Sequence, residues 1–232
     1  MHPFKVILWD IDGTLLDFHK AEAAAIHTLF RKFGLGECTD KMLASYKAIN
    51  ITYWQKLERG ELTKPQVLVG RFHDFFEKYG LDTSCAPAFN EAYQLALGDT
   101  VHFFDGALEA VQAMQGKILQ CAVTNGTAVA QHKKLAASGL DKLLDHIFIS
   151  DEIGIEKPNI GFFDAVWAKI GHYDSNDVLI VGDSLTSDIK GGNNAGIRTC
   201  WFNPSGAPLP QDLRIDYDIR QIDELMAICQ RN

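Results

Sequence analysis

Two aspartates stand two residues apart at the end of the first apolar run, in the stretch Trp9-Asp10-Ile11-Asp12-Gly13-Thr14-Leu15-Leu16. Side chains alternate along a strand, so Asp10 and Asp12 can share one crevice while Ile11 turns to the core. Gly13, without a Cβ, lets the chain turn sharply and lets a backbone N–H approach an anion, although Asp-Gly is also an ordinary solvated turn. Further on, Thr124-Asn125-Gly126 offers a hydroxyl, an amide and free N–H groups ahead of a helix, which suits a phosphate, or simply a helix N-cap. Lys157 precedes Pro158, whose ring holds the lysine extended and fixes the direction from which it reaches inward. Asp183 follows an apolar run, and Asp188 falls five residues later near a helix start, where a carboxylate suits the dipole. Asp183 beside Asp10 and Asp12 would be repelled unless a cation sat among them. Three carboxylates, a backbone carbonyl and waters suit a hard divalent ion, Mg²⁺ above all.

Such residues need strands to bring them to one edge and helices to cover the strands. Residues 118–123, 178–181 and 199–202 are predominantly apolar runs, with a shorter one at 147–149. Helical spacing marks 107–114, 128–138, 159–170 and 187–195 between them. This alternation predicts a doubly wound α/β fold, a buried parallel sheet with helices on both faces and ligands outside the carboxyl ends of its strands. Residues 19–33, 40–58, 64–79 and 87–97 carry helical patterns with no convincing strand among them. The chain therefore reads as an α/β core of residues 1–16 and 98–232, interrupted by a helical insert over 17–97, a bundle of about four helices. Tyr46, Tyr53, Trp54, Phe72, Phe75, Phe76 and Tyr79 fall at helical spacing, which fits a bundle core, while one or two could meet a substrate ring. The tail offers a possible edge strand at 217–219 and a last helix from about residue 222.

A chain of 232 residues, 47% of them hydrophobic, suits one large domain or one domain with a smaller insert. Its net charge of −8 leaves no basic stripe for a polymeric nucleic acid, while a small anionic substrate remains compatible through local charge. Cys38, Cys85, Cys121, Cys200 and Cys229 are odd in number and widely spaced without a CxxC pair, against zinc or a disulfide framework. With no leader-like start and no membrane-length apolar run, the expectation is a reducing, cytoplasmic setting away from membranes. Oligomeric state is not legible.

Residue for residue, Asp10-Ile11-Asp12-Gly13-Thr14-Leu15 matches DxDGTL, the first motif of the haloacid dehalogenase (HAD) superfamily of phosphatases. Thr124 matches its second motif, Lys157 its third, and Gly182-Asp183 with Asp188 its fourth, in the GDxxxxD form. The motifs come in order, and the chain resembles a HAD phosphatase with a Rossmann-like core whose insert takes the place of the family's C1-type cap. The resemblance implies that Asp10 attacks a phosphomonoester to form an aspartyl-phosphate. A carboxylate, with an ordinary pKa of about 3.9, needs no base to activate it. Asp12 would protonate the leaving alcohol and then deprotonate the attacking water. Mg²⁺ would sit on Asp10, Asp183 and the Asp12 backbone carbonyl. Lys157, Thr124 and N–H groups near Ile11, Gly13 and Asn125 would hold the phosphoryl oxygens, with Asp188 orienting the lysine or a metal-bound water. Asp12 also argues against dehalogenation, since haloacid dehalogenases lack an acid at that position.

Wording around the motifs goes further. Trp9, the run Gly-Asp-Ser-Leu-Thr-Ser-Asp-Ile-Lys-Gly-Gly-Asn-Asn-Ala-Gly over 182–196, and Thr199-Cys-Trp-Phe-Asn-Pro resemble the pyrimidine 5′-nucleotidase branch. That likeness implies a nucleoside monophosphate as substrate. The alternatives are a phosphoglycolate or sugar-phosphate phosphatase, a phosphomutase, and a non-catalytic binding protein on the same fold.

Overall fold

Four consecutive apolar residues make β1 (Val6–Trp9), and all four are buried. In the computed structural model, which describes residues 4–230, the chain then runs through α1 (Phe18–Lys32), α2 (Asp40–Glu58), α3 (Lys64–Lys78) and α4 (Ala86–Ala96). It returns as α5 (Ala107–Met114), β2 (Leu119–Thr124), α6 (Ala128–Ser138), β3 (His146–Ile149), α7 (Ser150–Ile153) and α8 (Ile160–Ile170). It closes with β4 (Val178–Gly182), α9 (Lys190–Asn194), β5 (Arg198–Phe202), β6 (Tyr217–Ile219) and α10 (Glu224–Gln230). Residues 1–3 and 231–232, assigned from sequence to the two ends of the core, lie outside the described residues.

The six strands form one parallel sheet of order β3-β2-β1-β4-β5-β6. Alternation sends Val6 and Leu8 to one face and Ile7 and Trp9 to the other. Phe162, Phe163 and Val166 of α8 cover the first face. Ala107, Ala110, Val111 and Met114 of α5 cover the second, with Leu135 of α6 and Leu225 of α10. A fully buried side chain such as Phe162 contributes about 1.5–3 kcal/mol. Trp9 pairs with Ala122 of β2 and Val181 of β4, so the carboxyl ends of the three strands stand side by side. The chain leaves β1 toward β2 and later reaches β4 on its other flank, which makes this edge the switch point where such sheets bind ligands.

Two local features differ from the sequence reading. The expected single helix at 187–195 is a widened π-type turn, Leu185–Ile189, followed by α9. That turn, whose entry is fixed by the Ser187 N–H donating to Ser184 Oγ, carries Asp188 inward, and such insertions recur at functional sites. The single turn α7 is too short to show a period.

His19–Thr100 is a unit of its own; the other unit runs to Phe18 and resumes at Val101. In the helical unit Tyr46, Phe72, Phe75 and Phe76 are buried and pack ring on ring, with Tyr46 and Phe72 stacked at 5.0 Å. These aromatics are bundle core. Arg71 is also buried, donating to Asn50 at 2.7 Å and Asn90 at 3.3 Å, while Asn50 donates to Glu22 at 3.0 Å. A buried guanidinium persists only with partners of this kind. Among the described residues no helix is long and apolar enough to cross a membrane, and the five cysteines are free.

Candidate active site

Asp10 leaves β1 with its N–H donating to the Val181 carbonyl at 2.9 Å, so the ladder between β1 and β4 fixes where its side chain starts. One carboxylate oxygen accepts from Lys157 Nζ at 2.9 Å and the other from the Thr14 hydroxyl at 3.1 Å. Burial, then the Asp188 charge, pushes the Asp10 carboxyl up to about 7, against the opposing pull of Lys157. Thr14 Oγ1 also accepts from the Asp183 N–H at 3.0 Å and so ties the first motif to the fourth.

Lys157 is fully buried, and its ammonium donates to Asp188 at 2.6 Å and to the Val123 carbonyl at 2.5 Å as well as to Asp10. Burial works against its charge, yet the Asp10 and Asp188 carboxylates outweigh that and hold its pKa above the ordinary lysine value. Its backbone is gripped by Asn125, which donates to the Lys157 carbonyl and accepts from its N–H, both at 2.8 Å. The Thr124 hydroxyl accepts from the Gly126 N–H at 3.1 Å, which leaves its own proton able to donate.

Asp188, buried, accepts from Lys157 through one oxygen and from the Ser184 N–H through the other, at 3.1 Å. Asp183 lies at the exposed side, its carbonyl accepting from the Trp201 indole at 2.9 Å. The protein packed around it, then Asp10 and Asp188, raise its carboxyl well above the usual range. Carboxylate oxygens of Asp10, Asp183 and Asp188 all lie within 4.8 Å of one another. That donor set fits a hard divalent cation, which would relieve the repulsion that raises Asp10 and Asp183.

Gly13 has a φ of +96°, and a Cβ there would stand 2.6 Å from Asp183 Oδ2. Its N–H donates to the Leu16 carbonyl at 2.8 Å, so its place in the site follows from conformation and close approach. The Asp12 carboxylate is held apart from the cation donors, by Lys134 and Gln131 of α6, each at 2.6 Å. The sequence reading did not single out Lys134, Gln131 or the Trp201 brace. The one signal was the spacing of Gln131 and Lys134, three apart on the helix that follows Thr124.

The fold and the site together define an α/β protein whose acidic cluster and buried lysine gather at a switch point of a parallel sheet. The chain belongs to the haloacid dehalogenase-like hydrolase family, whose model matches residues 7–202. It is 36% identical over 228 residues to the HAD-hydrolase YfnB of Bacillus subtilis, covering 98% of this chain and 96% of that protein. The crystal structure of YfnB bound to magnesium superposes with a TM-score of 0.92, covering 99% of this chain and 100% of that one at 35% identity. Pyrimidine 5′-nucleotidase PynA of Streptococcus pneumoniae is 30% identical over 99% of this chain and 96% of its own length. Pyrimidine 5′-nucleotidase YjjG of Escherichia coli is 30% identical over 94% of this chain and 95% of its own.

Proposed function

We propose that the protein is a Mg²⁺-dependent phosphomonoester hydrolase acting through an aspartyl-phosphate on Asp10, with pyrimidine nucleoside 5′-monophosphates as substrates. The observation that carries this reading is the Asp10 carboxylate, set at the end of β1 and steered by the buried Lys157 ammonium 2.9 Å away. In the first half-reaction an Asp10 oxygen attacks phosphorus as the bond to the leaving oxygen breaks. The leaving oxygen keeps the electron pair and takes a proton from Asp12. In the second half, water attacks the phosphorus, its proton passes to Asp12, and Asp10 departs with the electrons of its bond to phosphorus. Asp12 thus ends as it began. The Lys157 ammonium, the Thr124 hydroxyl and the Asn125 N–H meet charge on the phosphoryl oxygens, the contribution that dominates phosphoryl transfer. Asp188 holds Lys157 in place.

Asp10, Asp183 and the Asp12 backbone carbonyl would hold the Mg²⁺, with Asp188 close by. When bound, the ion supplies charge neutralisation among the carboxylates and a fixed contact for a phosphoryl oxygen. Mg²⁺ is supported by the donor set and by magnesium in the YfnB crystal structure. The nucleotidase reading is supported by PynA and YjjG. The helical unit, His19–Thr100, is read as the family's cap domain. The acidic balance and five free cysteines favour a small metabolite as partner in a reducing cytoplasm, with no nucleic acid or membrane involved.

The test is phosphate release, with and without Mg²⁺, from UMP, dUMP, dTMP, AMP, phosphoglycolate and several sugar phosphates, with Asp10→Asn as the blank. Pyrimidine monophosphates should lead and the blank should be inert. A lead for phosphoglycolate or a sugar phosphate would keep the chemistry and overturn the nucleotidase assignment. No turnover of any substrate would overturn the hydrolase reading.

A further inference from the structure

Helix α6 turns two polar side chains into the protein. Gln131 and Lys134 sit three residues apart on one helix face and are only 1% and 2% exposed. Both end on the same carboxylate. Lys134 Nζ donates to Asp12 Oδ1 at 2.6 Å, and Gln131 Nε2 donates to Asp12 Oδ2 at 2.6 Å. The Lys134 ammonium also lies 5.0 Å from the centroid of the Phe18 ring. The Gln131 amide packs so closely on Gly126, beside Thr124, that a Cβ on the glycine would overlap it. One element therefore touches both the turn that follows β2 and Asp12.

This arrangement is costly. Gln131 Oε1 is buried with no hydrogen-bond partner, and an orphaned buried acceptor is destabilising. Burying an ammonium adds a desolvation penalty that its ion pair must offset. The apolar anchors of α6, Ala130 and Leu135, are different residues, so the helix does not need these two side chains to reach the core. What they secure is the direction of the Asp12 carboxylate, both of whose oxygens they hold. Each oxygen has a second lone pair, which remains for a proton in transit.

We infer that Gln131 and Lys134 are positioning residues that lock the Asp12 carboxylate facing the leaving-group oxygen. The inference rests on the role given to Asp12 above. The proton that Asp12 hands to the leaving oxygen is replaced by the one it takes from water, so neither clamp residue gains or loses a proton over the cycle.

The apolar variants Gln131→Leu and Lys134→Met keep side-chain volume and remove the grip. They would be assayed on an alkyl phosphate, whose leaving oxygen needs a proton, and on p-nitrophenyl phosphate, whose leaving group does not. The alkyl phosphate should lose about 10²-fold in kcat with KM little changed, and at least about tenfold more than p-nitrophenyl phosphate loses. Added to Asp12→Ala, either change should cause no further loss, because the three residues act as a unit. Equal losses on both substrates, or additive losses on top of Asp12→Ala, would mean a merely structural role and overturn the inference while the hydrolase reading stands. Gln131→Leu carries the test alone if Lys134→Met does not fold. A wild-type protein inert toward both of these and toward every phosphate ester of the release assay above overturns both readings.

Discussion

The Lys157 ammonium meets the Asp10 carboxylate at 2.9 Å and the Asp188 carboxylate at 2.6 Å, joining residues that are 147 and 31 positions apart in the chain. A single buried cation thus ties β1 to the turn after β4. Lys157→Met would leave both carboxylates without it. Phosphate release should fall about 10²- to 10³-fold, the usual effect of removing one donor to the transition state. The urea midpoint should fall by the equivalent of about 3–5 kcal/mol, the cost of breaking a buried pair from one side. Unchanged turnover would remove Lys157 from the site's chemistry.

Asp183 tests the cation. With Asp10, Asp183 and Asp188 oxygens within 4.8 Å, Mg²⁺ should stabilise the fold by about 2.7 kcal/mol at a hundredfold excess over its Kd. A thermal melt with and without Mg²⁺ reads this as a rise in Tm. Asp183→Asn should lose most of that rise, and a variant that keeps it in full would place the ion elsewhere.

Gly13 couples backbone to cation site. Gly13→Ala forces a Cβ into the left-handed region and against the Asp183 carboxylate. It should cost about 1–3 kcal/mol in stability and weaken the Mg²⁺ response as well. Gly34→Ala is the control, since its φ is also positive and its Cβ would meet nothing within 4 Å. It should lose stability and retain the Mg²⁺ response.

Asp10, Thr124 and Asp183 were legible because each stands at or just past the end of an apolar run, while Asp12, Lys157 and Asp188 stood out through their match to the family's ordered motifs. The parallel sheet was legible too, since its central strands are mostly apolar runs separated by helical patterns. Gln131 and Lys134 were not legible as partners of Asp12. Polar residues on a helix read as its solvated face, and only the packing of α6 shows that this face points inward. The turn at 185–189 was hidden for a related reason, since Asp188 is drawn in by Lys157, far away in sequence.

Away from the site, Asp216 ties the approach to β6 onto β5. Partial burial alone would raise its pKa, but hydrogen bonds from Arg198 and the Thr199 N–H, with the Arg214 charge, outweigh that and hold it below the usual carboxylate value. A depressed folded-state pKa contributes stability that is present above the unfolded value of about 3.9 and is lost as pH falls through the folded value. Asp216→Asn should therefore lower the urea midpoint at pH 7, and the two proteins should converge as the pH drops below about 4. A gap that persists at low pH would assign the loss to something other than the charge.

The most direct test of the account is to quench the enzyme in acid during turnover of UMP with Mg²⁺ and map the covalent phosphoryl group by peptide mass spectrometry. The account predicts a phosphoryl group on Asp10, absent from Asp10→Asn, which should also be inactive. A phosphoryl group on another residue, or an Asp10→Asn variant that still turns over, would contradict it.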